Sequence, residues 1–317
     1  MAGDHDQGRT ELSVRPAVLD ALAGQIGASI ERREEIRVWS MSAVERLTLS
    51  DGSTLILKYA NEVFADEPDV LRHAAAHGVP VPKLLTSTRQ PDGSVVMITE
   101  DLGDPVREPT LADAATAAVS VHTCPPLDGL PVLDEHALVT LPLRALEWLD
   151  ALQRAGRWTT DTFSLRRKLE ALDGAAHRRA KGVTIPPYGM CHSEFHPTSL
   201  IVQPDGVPRV LDMARAYTGN GLLDLVSWQG TPEPLDLNAV KDLMDAYVAA
   251  GGPEEALLDR GGLPAHVWAS GWDKLWIVEW LMESNCRWGD PGDPERDHAV
   301  QKAISRHLKE AVECLTN

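Results

Sequence analysis

The sequence predicts an α+β chain in two parts: a β-rich segment over residues 1–103 and a mostly helical remainder over 104–317. Two patterns predict this division. Between Ile36 and Thr99, short apolar runs alternate with turns such as Ser50-Asp51-Gly52-Ser53, the rhythm of antiparallel strands. Beyond Pro109, apolar residues recur at helical spacing, broken near residue 190 by a strand–turn–strand stretch.

Composition bounds the function. A chain of 317 residues, 43% hydrophobic, has enough apolar surface for a two-part core. No run approaches 18 apolar residues, so no membrane span is expected. The opening MAGDHDQGRTE lacks the apolar stretch of a secretory signal, and the four cysteines include no Cys-x-x-Cys pair. Both point to reduced thiols in a cytoplasmic protein. The net charge of −17 argues against binding to nucleic acid, which depends on cationic patches. It favours a cationic small substrate by steering, although solubility is the plainer reading.

In chain order, Val18, Leu19, Leu22 and Ile26 place a helix over Leu12–Ile26. Strands follow at Arg37–Trp39, Val44–Leu49 and Leu55–Ala60, and the turn Ser40-Met41-Ser42-Ala43 contains no glycine. Lys58 sits in the third, otherwise apolar strand; inward, it requires an anionic partner, and outward it is an ordinary surface lysine. Pro68 suits the first position of a helix over 68–77, leaving Glu67 at the N-cap, and His77-Gly78 ends that helix. Strands at Lys83–Ser87 and Ser94–Thr99 lead into Glu100-Asp101-Leu102-Gly103. Helical patterns then cover Leu111–His122, Leu141–Leu152 (with Pro142 in its first turn), Phe163–Ala180, Leu235–Ala250, Pro264–Cys286 and Ala299–Leu315.

The richest chemistry lies in residues 188–228. A polar loop, His192-Ser193-Glu194-Phe195-His196-Pro197-Thr198-Ser199, precedes Leu200-Ile201-Val202, a Pro204-Asp205-Gly206 turn, and Arg209-Val210-Leu211-Asp212. Two short apolar runs joined by Asp-Gly form a hairpin signal. That hairpin presents Glu194 and Ser199 before its first strand and Asp212 after its second. Phosphoryl transfer needs this inventory: a group to orient an attacking hydroxyl, and oxygen ligands for magnesium.

This stretch resembles the catalytic segment of the aminoglycoside phosphotransferase family, relatives of the protein kinases. Its pattern is His-Gly-Asp, four residues, Asn, a two-stranded ribbon, then an apolar residue and Asp. His192, Glu194, Ser199 and Asp212 match the His, catalytic Asp, metal-binding Asn and second metal-binding Asp, and Asp224 matches an Asp that braces the loop. Ser193 stands for Gly, Glu194 for Asp and Ser199 for Asn. The resemblance implies a bilobal protein-kinase-like fold that uses ATP or GTP with Mg2+. It implies that Lys58 holds phosphates and pairs with an acid on the next helix, Glu67 first and Glu62 second. Ser40 and Ser42 occupy the place of the nucleotide-covering loop. Thr99, Glu100 and Asp101 occupy that of the hinge, acting through main chain. His192 is expected to order the loop.

For the acceptor, residues 264–286 hold four of the nine tryptophans. At about 100° per residue, Trp268, Trp272, Trp276, Glu279 and Glu283 share a narrow arc. It is either an aromatic and acidic stripe for a ring-bearing acceptor or a core helix packed on its neighbours. Glu147 and Asp150 are weaker acceptor-side candidates, and His196 is either near the acceptor or structural. The pair His192 and His196 does not make a zinc site, because Pro197 discourages the helix that such a motif needs. Cys191 is expected to be buried packing.

The resulting expectation is O-phosphorylation of a small molecule, an antibiotic by family likeness, by a monomer or homodimer with no nucleic-acid or membrane partner. The alternatives are a metabolic small-molecule kinase and a non-catalytic nucleotide-binding protein.

Overall fold

The computed structural model describes residue 14 and residues 16–39, 41–61, 64–158, 160 and 162–317. The chain forms two compact units: one runs through Arg107 and includes Ile201–Arg215, and the other comprises Glu108–Leu200 with Ala216–Asn317. The first boundary falls close to Gly103, but the chain crosses between units twice more.

In the first unit, helix α1 (Pro16–Gln25) is followed by strands β1 (Ile30–Val38), β2 (Ser42–Leu49) and β3 (Thr54–Ala60). Helix α2 (Glu67–Ala76) and strands β4 (Leu84–Arg89) and β5 (Val95–Glu100) complete an antiparallel sheet of order β1-β2-β3-β5-β4. Leu19 and Leu22 of α1 join Leu47, Leu57, Val96 and Ile98 in its core. Strand β1 begins seven residues before its expected start at Arg37, since Ile30-Glu31-Arg32-Arg33-Glu34-Glu35 shows no apolar alternation. Pairing with β2 and an Arg33–Glu45 ion pair at 2.7 Å support it instead. The ribbon of β7 (Leu200–Val202) and β8 (Pro208–Val210) is tied to this unit by Val106 N–H to Val202 O at 3.0 Å and Val210 N–H to Pro80 O at 2.7 Å.

The second unit is mainly helical: α3 (Leu111–His122), α4 (Glu135–Arg154), α5 (Thr162–Arg179), α6 (Leu222–Ser227), α7 (Leu237–Ala249), α8 (Ala265–Trp288) and α9 (Pro294–Leu315). Strands β6 (Tyr188–Cys191) and β9 (Tyr217–Asn220) pair antiparallel beneath the polar loop. Helix α4 starts at an Asp134 N-cap, so Pro142 lies inside it, not in its first turn. An interior proline lacks the N–H that would bond four residues back, and here tertiary packing of Leu138, Leu141 and Ala145 outweighs that loss. Helix α8 packs against α4, α6, α7 and α9, which explains the unbroken burial of Trp268–Leu275 within it. No described helix is long and apolar enough to cross a membrane.

Candidate active site

In the first unit, β3 carries Lys58 inward, where it is only 7% exposed. Its ammonium lies 2.6 Å from Glu67 Oε2 and 2.6 Å from Asp212 Oδ1. Burial works against the Lys58 charge, but Glu67 and Asp212 outweigh it and raise its pKa, so the ammonium stays protonated. Glu67 is the first residue of α2 rather than its cap; that place falls to Asp66, whose side chain makes no capping bond. Asp212 follows β8 at φ +59°, a left-handed conformation that Asp tolerates better than most residues. Its other oxygen, Oδ2, accepts a bond from Arg37 Nη2 at 3.2 Å. Sequence reasoning missed Arg37, because its placement depends on strand register.

The remaining nucleotide-side candidates differ in availability. Ser40 and Glu62 lie outside the described residues. Ser42 is not on an open loop: it begins β2, is buried, and its carbonyl accepts the Trp39 N–H at 2.8 Å. Thr99 is buried in β5. The Glu100 amide donates to Lys83 O at 3.0 Å, and its carboxylate accepts the Lys83 N–H at 2.7 Å. The Asp101 carboxylate binds Arg46 at 2.6 Å and the Gly103 N–H at 2.9 Å. The two acids therefore shape this segment with their side chains.

In the second unit, Asp224 organises the polar loop. Its Oδ2 accepts the His192 N–H at 2.6 Å, and its Oδ1 accepts the Ser193 N–H at 2.8 Å. The His122 ring bridges Asp224 and Tyr247, with Nε2 3.1 Å from Asp224 Oδ2 and Nδ1 3.3 Å from the Tyr247 hydroxyl. The helix-end His122 and Tyr247 went unassigned in the sequence, since nothing local marks an interaction 102 residues distant. The His122 ring approaches Gly221 so closely that an added Cβ would stand 2.5 Å from it. His192 is fully buried and accepts the Glu194 N–H at Nδ1, 3.2 Å away. Glu194 itself is half-buried. Ser199 donates its hydroxyl to Glu194 O at 2.6 Å, closing the loop, while His196 Nδ1 bonds Thr198 Oγ1 at 2.7 Å. Burial and Asp224 push the Cys191 thiol well up, so it is a neutral packing group.

Ser193 adopts φ +80°, and its buried hydroxyl finds no hydrogen-bond partner. Glycine is the residue this backbone suits. Ser193→Gly is expected to stabilise the protein by about 0.5–1 kcal/mol, the relief of left-handed strain exceeding glycine's added unfolded entropy. Urea unfolding checks this; an unchanged midpoint would show the strain to be absent.

The aromatic stripe of α8 divides. Trp268 and Trp272 are wholly buried, and both indoles donate to Arg179 O, at 2.6 and 3.2 Å. They are core residues, not acceptor contacts, because α8 is enclosed by neighbouring helices. Trp276 is half-buried and packs edge-on against Tyr217 at 4.8 Å. Glu279 meets Arg144 at 3.3 Å and the Trp148 indole at 3.4 Å, and burial raises its pKa despite Arg144. Glu283 pairs with Arg287 at 3.1 Å. Asp150, on α4, pairs with Arg166, and Glu147 is exposed.

No protein-family model and no curated protein sequence matches the chain. Solved structures do. An aminoglycoside phosphotransferase from Alicyclobacillus acidocaldarius superposes with TM-score 0.55 at 16% identity, covering 96% of this chain and 97% of that one. A choline kinase from Streptococcus pneumoniae gives TM-score 0.66 at 11% identity, covering 94% and 98%. A macrolide 2'-phosphotransferase from Brachybacterium faecium gives TM-score 0.56 at 20% identity, covering 92% and 98%. With a five-stranded antiparallel sheet followed by a helical unit carrying the braced loop, the chain has the protein-kinase-like fold of the aminoglycoside phosphotransferases.

Proposed function

We propose that this protein is a nucleotide-dependent O-phosphotransferase that acts on a hydroxyl of a small molecule. The observation that carries the reading is Lys58: a buried ammonium held at 2.6 Å by two carboxylates, on the strand where the family resemblance leads one to expect a phosphate-binding lysine. An isolated buried ammonium is costly, and the two carboxylates keep Lys58 charged at a buried position where it can meet phosphate.

Each unit supplies its own part. In the first, Lys58 holds nucleotide phosphates, Glu67 fixes its direction, and main chain around Thr99–Asp101 meets the base. Magnesium would take carboxylate oxygens of Asp212 in the first unit. The Ser199 hydroxyl of the second, having donated its hydrogen to Glu194 O, keeps lone pairs of the kind such an ion takes. When bound, the ion neutralises charge on the phosphates. In the second unit, Glu194 orients the acceptor hydroxyl and takes its proton, while His192 and Asp224 position that carboxylate through the loop backbone. Positioning and electrostatics supply most of the rate in such transfers.

The acceptor is an antibiotic in this reading, in line with the antibiotic-modifying enzymes among its structural neighbours. Trp276, His196 and Glu283 are the more accessible candidates to receive a ring and its polar groups. Glu279 is largely buried against Arg144 and Trp148. The test is phosphate transfer from labelled ATP and GTP, with magnesium, across aminoglycoside, macrolide, nucleoside and peptide antibiotics and amino alcohols such as choline. A labelled antibiotic supports the reading; transfer to metabolites alone moves it to a metabolic kinase. Glu194→Gln is expected to lower the transfer rate about 100-fold with ATP affinity intact. An unchanged rate would remove Glu194 from the chemistry.

A further inference from the structure

Strand β1 contains a bulge whose position has a chemical outcome. Glu35 stands opposite Glu45, whereas Arg37 stands opposite Val44, so Ile36 is the extra residue. In plain register Arg37 would oppose Ala43, and a one-residue slip carries a side chain to the other face of a sheet. Val44 is in turn paired with Lys58. Arg37, Val44 and Lys58 thus form one row across three strands, and side chains of such a row share a face. Strand spacing sets the Arg37 and Lys58 backbones about 10 Å apart. Their long side chains converge from there on a single carboxylate: Asp212 Oδ1 lies 2.6 Å from Lys58 Nζ, and Oδ2 lies 3.2 Å from Arg37 Nη2.

Two further features mark Arg37. Its guanidinium stacks 4.4 Å over the Trp39 ring, which is 49% exposed. The β1–β2 connection is also short, with the Trp39 N–H bonding Ser42 O, and it has no glycine to bring backbone amides onto a phosphate chain. A surface arginine in an ordinary ion pair needs neither a register bulge nor an aromatic support.

We propose that Arg37, turned onto the Lys58 face by the bulge at Ile36 and supported by Trp39, is a second phosphate-binding cation that replaces the missing glycine-rich cradle. Without nucleotide, Asp212 serves as its anionic partner; with nucleotide, the guanidinium moves to phosphate oxygens and leaves Asp212 to other ligands. Guanidinium suits this exchange, being always charged and forked to match two oxygens. This inference rests on the nucleotide-dependent reading above.

Calorimetric binding of ATP and of adenosine, each with magnesium, to the full chain tests it. Arg37→Gln is expected to weaken ATP at least tenfold, to leave adenosine binding unchanged and to keep the unfolding midpoint. Arg37→Lys is expected to recover part of the loss. Nucleotide binding is also expected to change indole fluorescence, and Trp39→Phe to remove that change. Equal ATP affinity in wild type and Arg37→Gln overturns the inference while the nucleotide reading stands; so does an equal loss for adenosine. Failure of the wild-type protein to bind either ligand overturns both.

Discussion

Asp212→Asn is expected to reduce phosphate transfer about a thousandfold or more, the largest catalytic effect at any single position. Among the described residues Asp212 is the carboxylate shared by Lys58 and Arg37, and by the proposal it is also the strongest oxygen donor to magnesium. The amide keeps the shape and removes the charge, and a metal clamp on a transferring phosphoryl group is worth several kcal/mol. About 4 kcal/mol corresponds to three orders of magnitude in rate. Asn also tolerates the left-handed backbone at φ +59°, so the substitution leaves the ribbon intact. Single-turnover transfer should fall by far more than the loss of one charged partner of Lys58 lowers the thermal midpoint. A rate within threefold of wild type would remove Asp212 from the metal site.

Asp224→Ala should have the largest effect on stability. This buried carboxylate satisfies the amides of His192 and Ser193 and meets His122, all within 3.1 Å. Alanine leaves two buried donors and a buried imidazole without their acceptor, each costing about 1–3 kcal/mol. The total is expected to be about 3–5 kcal/mol in urea unfolding, the range for breaking a buried ionic network. Hydrogen exchange at the His192 and Ser193 amides should accelerate with it. A loss below about 1 kcal/mol would mean that water replaces the carboxylate.

The comparison between sequence and structure follows the range of the forces involved. Elements with a clear period and local caps were legible: α3 runs over Leu111–His122 as its spacing predicts, behind a Thr110–Asp113 capping box. The hairpin at 200–210 was legible from its Asp-Gly turn. The early strand β1 was not, because cross-strand charge pairs support it rather than apolar alternation. The site divides in the same way. Residues identified by their match to the family's motif within one loop, His192, Glu194 and Ser199, are brought together in the structure. Residues that depend on register or on distant packing, Arg37 and Tyr247, carry no local signal. The tryptophan arc of α8 shows the converse: helical spacing puts residues on one face, but only the packing of other helices decides whether that face sees solvent.

The insertion of Ile201–Arg215 into the first unit bears on how the chain is made. Protein synthesis is vectorial, and domains tend to fold as units while they emerge. Here the sheet emerges early, yet its ribbon and the second carboxylate beside Lys58 leave the ribosome about a hundred residues later. Until then the nascent sheet holds a buried lysine with only Glu67 beside it. Completion of the Lys58 cluster therefore waits for the ribbon, so the first unit is finished only after the loop that carries Glu194 has emerged.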